Sequence, residues 1–231
     1  MNKLTCVNTF VRRFARQCRH TVAGLGLMLV GGCAALSPTT TPQPSFYSLD
    51  NARTEAPAAT LPSVPQVPLP LSAPTLIVNP PYAASGITSQ RIIYTREAHK
   101  LEYFSHSEWV DPPARMLAPL IVAAIENSGA FRAVVLTPSA AAGDLRLDTE
   151  IIRLQHEFYS QPSRVRFTLR AYLVEDKTRR VLGWREFDTT VAAASENPYG
   201  GVIAANRAVQ IVLEALSAFC IDIARNMRTE K

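Results

Sequence analysis

Residues 164–173 read RVRFTLRAYL, and this stretch carries the clearest structural pattern in the chain. Apolar side chains occupy the odd positions from Val165 to Leu173, whereas the even positions are polar or aromatic. Because successive side chains of a β-strand point to opposite faces, this alternation predicts a strand that is buried on one face only. The flanking sequence must then supply further strands and a layer that covers the apolar face.

Further strands are predicted on both sides of this segment. Residues 144–158 also alternate, but their apolar positions change from odd to even at Ile151 and Ile152, which predicts a β-bulge. A charged turn follows the defining strand at residues 175–179. Segments rich in β-branched and aromatic residues add the remaining strands, at 75–79, 91–96, 99–110, 131–136 and 181–193.

Two segments repeat instead with the period of an α-helix. In the first, Asp111 is expected to cap the N-terminus, Gly129 to end the helix and Pro119 to kink it. The second runs from about residue 198 to 227 and has one continuous apolar stripe. The order βββ-α-ββββ-α predicts an α/β fold: a two-layer sandwich whose antiparallel or mixed sheet carries two helices on one face.

The N-terminus has the composition of a secretory signal. A basic segment that ends at Arg19 precedes an apolar run, Thr21 to Val30, which is too short to cross a bilayer as a helix. Gly31-Gly32-Cys33 follows and resembles the lipobox of bacterial lipoproteins, in which the cysteine becomes the acylated first residue. The sequence therefore predicts a signal peptide over residues 1–32 and an acyl anchor, such as palmitate, on Cys33.

Charge and cysteine content change once this segment is set aside. The whole chain has 24 basic and 19 acidic residues, but five of the basic residues and none of the acidic ones precede Cys33. The remaining chain is formally neutral, so its composition gives no reason to expect a nucleic-acid partner. Cys220 is the one cysteine left after Cys33, and its place on the helical stripe predicts a buried, unreactive thiol.

A segment rich in Pro, Ser and Thr, residues 33–74, is expected to separate the anchor from a folded domain at 75–228. Residues 46–49, Phe-Tyr-Ser-Leu, interrupt it and are expected to dock as a short edge strand, with an unstructured apolar patch as the alternative. From Asn51 to Pro74, a polyproline II helix of about 3.1 Å per residue would reach roughly 75 Å. The domain is therefore expected to stand well off the membrane.

Catalytic and ligand-binding motifs are absent from the sequence. It contains no nucleophile elbow, no phosphate-binding glycine loop and no zinc-protease helix. His156 is expected to be a surface or hydrogen-bonded histidine rather than a base, and Gly200-Gly201 a flexible helix start rather than an anion site. We therefore expect no enzymatic activity, no metal and no cofactor.

Arginines of the defining strand and residues at the junction before the first helix are candidates for a partner interface: Arg164, Arg166, Arg170, Trp109, Asp111 and Arg115. The three strand arginines share the polar face and could meet an acidic partner or anionic headgroups. A solvated face with scattered ion pairs is the commoner situation. At the junction, the tryptophan either packs under the helix, which is commoner, or forms a partner hot spot.

The order of several motifs resembles that of a known family. Residues 46–49 follow the lipid cysteine, and Arg91-Ile92-Ile93-Tyr94 comes next. The sequence WVDPPARML, residues 109–117, precedes the first helix, and Ser128-Gly129-x-Phe131 ends it before a long helix closes the domain. Together these motifs resemble the ABC-type transport auxiliary lipoproteins, the PqiC/YmbA-like lipoproteins of MCE transport systems, over residues 46 to about 225.

The resemblance implies a role that composition does not supply. Members of this family accompany an MCE-domain membrane protein, an inner-membrane permease and an ATPase, which together move lipids across the periplasm. The lipoprotein is expected to dock this assembly at the outer membrane. Ala34 follows Cys33, where an aspartate would favour the inner membrane. An activator of a peptidoglycan synthase and a periplasmic lipid-binding chaperone are the alternatives, and a homo-oligomer stays possible.

Overall fold

Nine strands form one mixed sheet in the computed structural model, which describes residues 43–50 and 73–229. In chain order the strands are β1 (Ser45–Tyr47), β2 (Thr75–Val78), β3 (Tyr82–Ala83), β4 (Arg91–Thr95), β5 (Glu102–Trp109), β6 (Ala133–Leu136), β7 (Leu145–Glu157), β8 (Arg164–Glu175) and β9 (Val181–Ala192). Helix α1 (Pro113–Glu126) lies between β5 and β6, and helix α2 (Pro198–Thr229) follows β9.

Strand β7 is the centre of this sheet. Strand β8 pairs with it antiparallel along nearly its whole length, and β9 pairs with β8 in the same way. On the other side of β7, its first residues pair parallel with β2 and its last residues pair parallel with β4. The sheet therefore divides beyond β7: β6 extends the first branch, and β5 and then β1 extend the second. Strands β1 and β9 lie at opposite edges.

One face of the sheet is buried under both helices. In β8, Phe167, Leu169 and Leu173 are fully buried, as the alternation predicts. The two helices contact each other where the Ser217 hydroxyl donates to the carbonyl of Ala124 at 3.3 Å. A two-layer α/β sandwich with a mixed sheet is thus confirmed.

The predicted irregularity in β7 is also present. Its register with β8 shifts between Ile151 and Arg153, which places the bulge at Ile152. The buried positions change from odd to even at this point, so that Ile151 and Leu154 both face the helices. The bulge keeps a strand of 13 residues buried on one face along its full length.

The start of α1 differs from the prediction. Asp111 does not cap this helix, because Pro112 occupies the N-cap position and no side chain caps the first turn. Asp111 lies one residue too early, and its carboxylate instead contacts the Arg115 guanidinium at 3.3 Å. The helix continues through Pro119, and the chain turns away at Gly129, whose φ of +63° suits glycine.

The N-terminal edge of the fold corrects the predicted spacing from the membrane. Strand β1 pairs parallel with β5, and Leu49 beyond it is buried, so the folded unit begins before residue 50. The proline-rich residues 51–72 therefore connect two strands of one sheet and cannot space the domain from the predicted lipid anchor. The predicted reach of roughly 75 Å does not apply.

The predicted signal peptide and Cys33 lie outside the described residues, as do residues 51–72. Within the described ranges, no helix combines the length and the apolar character needed to span a membrane.

Candidate functional site

The face of the sheet that points away from the helices is polar. Its central row crosses three strands, because Arg170 on β8 lies between Glu150 on β7 and Glu186 on β9. The Arg170 guanidinium contacts the Glu186 carboxylate at 2.8 Å and the Glu150 carboxylate at 3.5 Å. The hydrogen bond to Glu186 raises the pKa of Arg170 above its usual value. Two carboxylates thus balance one guanidinium in this row.

A second arginine on the same face is paired as completely. Arg166 donates two hydrogen bonds to Asp188, at 2.9 and 2.7 Å, and the Thr168 hydroxyl donates a third at 2.6 Å. Hydrogen bonding from Arg166 lowers the pKa of Asp188. Bidentate pairing of this kind fixes the guanidinium plane on the face of the sheet.

Arg164, the first residue of β8, differs from Arg166 and Arg170. It lies opposite Glu157 on β7 and Ala192 on β9, and it has no ion pair within the described part of the chain. The predicted arginine stripe therefore contains two neutralised side chains and one exposed cation. Among these three residues, Arg164 offers the charge that is most available to a partner.

The three candidate residues at the junction before α1 do not share one surface. Trp109 is 3% exposed and lies in the core, which agrees with the commoner of its two interpretations, packing inside the domain, and not with a surface hot spot. The side chain points inward because β5 ends with this residue on the buried face. Asp111 and Arg115 do lie at the surface, paired with each other.

An exposed tryptophan that sequence reasoning missed lies on the polar face. Trp184 on β9 is 62% exposed, and its ring stacks on Tyr172 of β8, with the ring centroids 6.4 Å apart. The signal was present in the sequence, because Phe187, which is buried, and Thr189 and Val191, which are half-buried, have odd numbers. An even-numbered tryptophan in the same strand must point to the opposite face.

A groove of about 540 Å³ lies at one end of the polar face. Its lining includes Thr95, His99, Leu101, Arg153, Tyr159 and Arg166. Its size lies within the range of ligand sites, which is about 300–1,000 Å³. Glu157 also lines it, and Asp188 holds Arg166, so two carboxylates offset the two guanidinium groups. The groove can accept polar groups but does not select an anion.

Behind the polar face, His156 is buried rather than at the surface. Its Nε2 lies 2.8 Å from the Ser163 hydroxyl, whereas Nδ1 has no hydrogen-bond partner in the described part of the chain. The Ser163 amide donates to the Glu196 carboxylate at 2.8 Å. Burial lowers the pKa of His156, although Glu196 opposes this. Ser163 is fully buried, and it links β7 to the segment before α2, because its hydroxyl contacts His156 and its amide contacts Glu196.

Gly200 and Gly201 lie in the first turn of α2, where a side chain would meet neighbouring atoms. A Cβ atom on Gly201 would lie 2.5 Å from Nδ1 of His156. A Cβ atom on Gly200 would collide with the backbone of Ser195. Gly201 therefore allows α2 to approach the sheet closely, and Gly200 allows the connection before α2 to pass close to the helix.

The remaining cysteine behaves as predicted. Cys220 is fully buried, and burial raises the pKa of its thiol to about 12. No group of His, Cys, Asp and Glu residues that could hold a metal ion occurs within residues 43–50 and 73–229.

The fold and the polar face define a class: a small two-layer α/β domain whose surface offers charged and aromatic contacts on a rigid sheet. Residues 47–217 match the family described as the ABC-type transport auxiliary lipoprotein component, and the chain belongs to this family. The match runs from β1 into α2 and confirms the resemblance seen in the sequence. This is a family of auxiliary transport lipoproteins and not a known family of enzymes.

Solved structures share the fold. Protein XCC0632 from Xanthomonas campestris, of the family DUF330, is 22% identical, with a TM-score of 0.67 over 81% of this chain and 99% of that one. A structure described as an uncharacterized protein is 14% identical, with a TM-score of 0.55 over 80% of this chain and 99% of that one. No curated protein sequence matches the chain.

Proposed function

We propose that the chain is a lipid-anchored accessory subunit of an MCE-type ABC lipid transport system, facing the periplasm and docking the transport assembly at the outer membrane. The observation that carries this proposal is the family match over residues 47–217, which covers the sheet and most of α2. The direct partner is an MCE-domain membrane protein, which links the chain to an inner-membrane permease and an ATPase. The chain contributes contacts, not catalysis.

The polar face suits a docking role. Aromatic residues and arginine are enriched where protein partners meet, and lysine is depleted. The face carries Trp184 and Tyr172 towards the end of β8 and Arg164 at its start. Between them, cross-strand ion pairs hold Arg166 and Arg170 in place. Such a surface loses little conformational freedom when a partner binds.

The lipid anchor on Cys33 supports the proposed location. Replacement of Cys33 by Ala removes the acylated atom and should leave the protein soluble or unprocessed. The check is fractionation of envelopes together with lipid labelling. The wild-type chain is expected in the outer-membrane fraction, because Ala34 follows the cysteine. Unchanged membrane attachment and labelling of the Cys33→Ala variant would refute the anchor.

The lipid-chaperone alternative predicts an apolar cavity between sheet and helices, and the cavity that the described residues form there is small. A cavity lined by Ile92, Trp109, Leu154 and His156 has a volume of about 10 Å³. This is about the space needed for one water molecule and far less than an acyl chain requires. The chaperone would carry co-purified lipid, which extraction and mass spectrometry of the purified chain would reveal.

Affinity capture tests the proposal against the other alternative. The tagged, processed chain is solubilised from the envelope in mild detergent, and captured proteins are identified by mass spectrometry. We expect an MCE-domain protein, a permease and an ATPase to be enriched over a capture with an unrelated lipoprotein. Enrichment of a peptidoglycan synthase without these proteins would favour the activator and contradict the transport role.

A further inference from the structure

Four exposed apolar side chains surround the edge strand at which the chain enters the fold. We call Phe46, Val110, Tyr199 and Ile203 the anchor-edge patch; each is between 45% and 60% exposed. The Val110 amide donates to the carbonyl of Tyr47 at 2.8 Å, which places Val110 at the end of β1. On the helix side, the rings of Tyr47 and Tyr199 have centroids 6.3 Å apart, and Ile203 lies one turn further along α2.

The patch extends around both sides of β1. Phe46 and Tyr47 point to opposite faces of the sheet, because they are neighbours in a strand. The patch therefore combines Phe46 and Val110 on one side with Tyr199 and Ile203 on the other. Single exposed apolar residues are common at protein surfaces, whereas several together at one edge indicate an interaction site.

The number of residues between Cys33 and β1 limits how far this edge can lie from the proposed lipid anchor. Twelve Cα–Cα steps separate Cys33 from Ser45, where β1 begins. Fully extended, these steps span at most roughly 40 Å. Residues 51–72 follow β1 and add nothing to this reach. The edge that carries the patch is therefore the edge tied most closely to the lipid anchor.

We propose that the anchor-edge patch rests in the interfacial region of the bilayer that holds the acyl chains of Cys33. Tyrosine and phenylalanine suit this region, because an aromatic side chain can bury its ring and, in tyrosine, keep its hydroxyl hydrated. Arg207 is exposed one turn beyond Ile203 on α2 and can meet anionic headgroups. The inference rests on the lipid anchor of the proposed function, and not on the identity of the transport partner.

Because the chain is attached to the bilayer through Cys33, even a weak contact between patch and lipid can hold the domain in one orientation. Once Cys33 is in the bilayer, contact between patch and lipid becomes an intramolecular step at a high local concentration. This orientation also assigns the rest of the surface. Strand β9 and Trp184 lie at the opposite edge of the sheet, which leaves them free for a partner in the periplasm.

Depth-dependent quenching of a site-specific fluorophore tests the proposal. Cys220 is buried with a thiol pKa of about 12, and Cys33 is blocked by its lipid, so an added cysteine is the single reactive thiol in the processed chain. The variants are Ile203→Cys in the patch and Trp184→Cys at the opposite edge, both at exposed positions. Each processed, lipidated chain is labelled and reconstituted into vesicles of phosphatidylethanolamine and phosphatidylglycerol, with or without brominated acyl chains.

We expect brominated lipid to cause a several-fold larger loss of fluorescence at position 203 than at position 184. Adding Tyr199→Ser to the Ile203→Cys variant should reduce that loss, since it removes apolar contact without disturbing a buried residue. Equal quenching at both positions overturns the proposal, as does a shielded but unquenched label at position 203, which would assign the patch to protein. Flotation of the vesicles distinguishes failure of this proposal from failure of the proposed function. A chain that does not float with the vesicles contradicts the lipid anchor, and with it the proposed function as well.

Discussion

Asn206 on α2 holds the chain that follows β1 through Asp50, a residue 156 positions away. The Asp50 amide donates to Oδ1 of Asn206 at 2.8 Å, and Nδ2 of the same side chain donates to the carbonyl of Ser48 at 3.1 Å. One amide side chain thus satisfies both a donor and an acceptor of the backbone. These two hydrogen bonds join the chain after the edge strand β1 to the last helix of the fold.

Replacement of Asn206 by Ala should loosen this edge while the sheet stays folded. Two hydrogen bonds of about 1 kcal/mol each are lost, so the free energy of local opening should fall by roughly 1–2 kcal/mol. Hydrogen exchange of the amides in residues 45–50 measures this. Gln210→Ala, one turn further along α2, is the matched control and should leave these amides unchanged. If these amides are equally protected from exchange in all three proteins, Asn206 does not hold this segment.

Gly201→Ala should destabilise the protein, although alanine normally stabilises a helix interior by roughly 0.5–1 kcal/mol relative to glycine. The added Cβ would meet Nδ1 of His156, so we expect a net loss of about 1–3 kcal/mol in the free energy of unfolding. The same change in a His156→Ala background should be neutral or stabilising, because the obstruction is gone. Urea denaturation of the four proteins in this cycle measures the coupling, and additive effects would show that the two residues do not interact.

Stability should fall as the medium becomes mildly acidic. Burial lowers the pKa of His156 below its usual value of 6.5, so below that pH the unfolded chain binds a proton that the folded chain does not. The free energy of unfolding then decreases, by at most about 1.4 kcal/mol per pH unit, until the pH reaches the lowered pKa. His156→Gln should lack this component. Denaturation curves above and below pH 6.5 measure the free energy of unfolding of the wild type and of His156→Gln. Equal losses of this free energy in both proteins would assign the acid sensitivity to other groups.

Two arginines of β8 should differ in what their replacement changes: one affects stability and the other affects binding. Arg166→Gln breaks the bidentate pair with Asp188 and should cost at most about 1 kcal/mol, because the pair is partly exposed. Arg164→Gln should leave stability unchanged but weaken binding to the MCE-domain partner several-fold at low salt. Thermal denaturation and binding titrations at two salt concentrations measure both effects. If Arg164→Gln keeps the full affinity and the same salt dependence, this arginine does not contact the partner.

Local periodicity was sufficient to predict most of the elements. The alternation at 164–173 and the change of parity at Ile151 and Ile152 follow from the geometry of a strand with one buried face, so they survive into the structure unchanged. The stripe that buries Cys220 follows in the same way from the helical period. The two-layer arrangement follows because each apolar face needs a cover.

Contacts between distant segments could not be predicted in this way. Three such contacts depend on how the layers meet. They are the hydrogen bonds of Asn206, the pairing of β7 with both β2 and β4, and the approach of Gly201 to His156. Composition also misled: the proline-rich stretch looked like a spacer, although a strand precedes it. For Trp109 the sequence left two interpretations open, because a strand-end residue can face either layer, and the structure buries it. The interface roles of Arg164, Arg166, Arg170, Asp111 and Arg115 stay predictions.

Equilibrium binding between the processed chain and the periplasmic part of an MCE-domain protein from the same organism tests the central claim most directly. We predict saturable binding with a Kd of about 10 μM or tighter, as expected for a specific interface of ordinary size. A lipoprotein of unrelated fold serves as the control and should not bind. Absence of saturable binding up to about 1 mM, where only a marginal interaction is left, would contradict the assignment as an accessory subunit of this transport system.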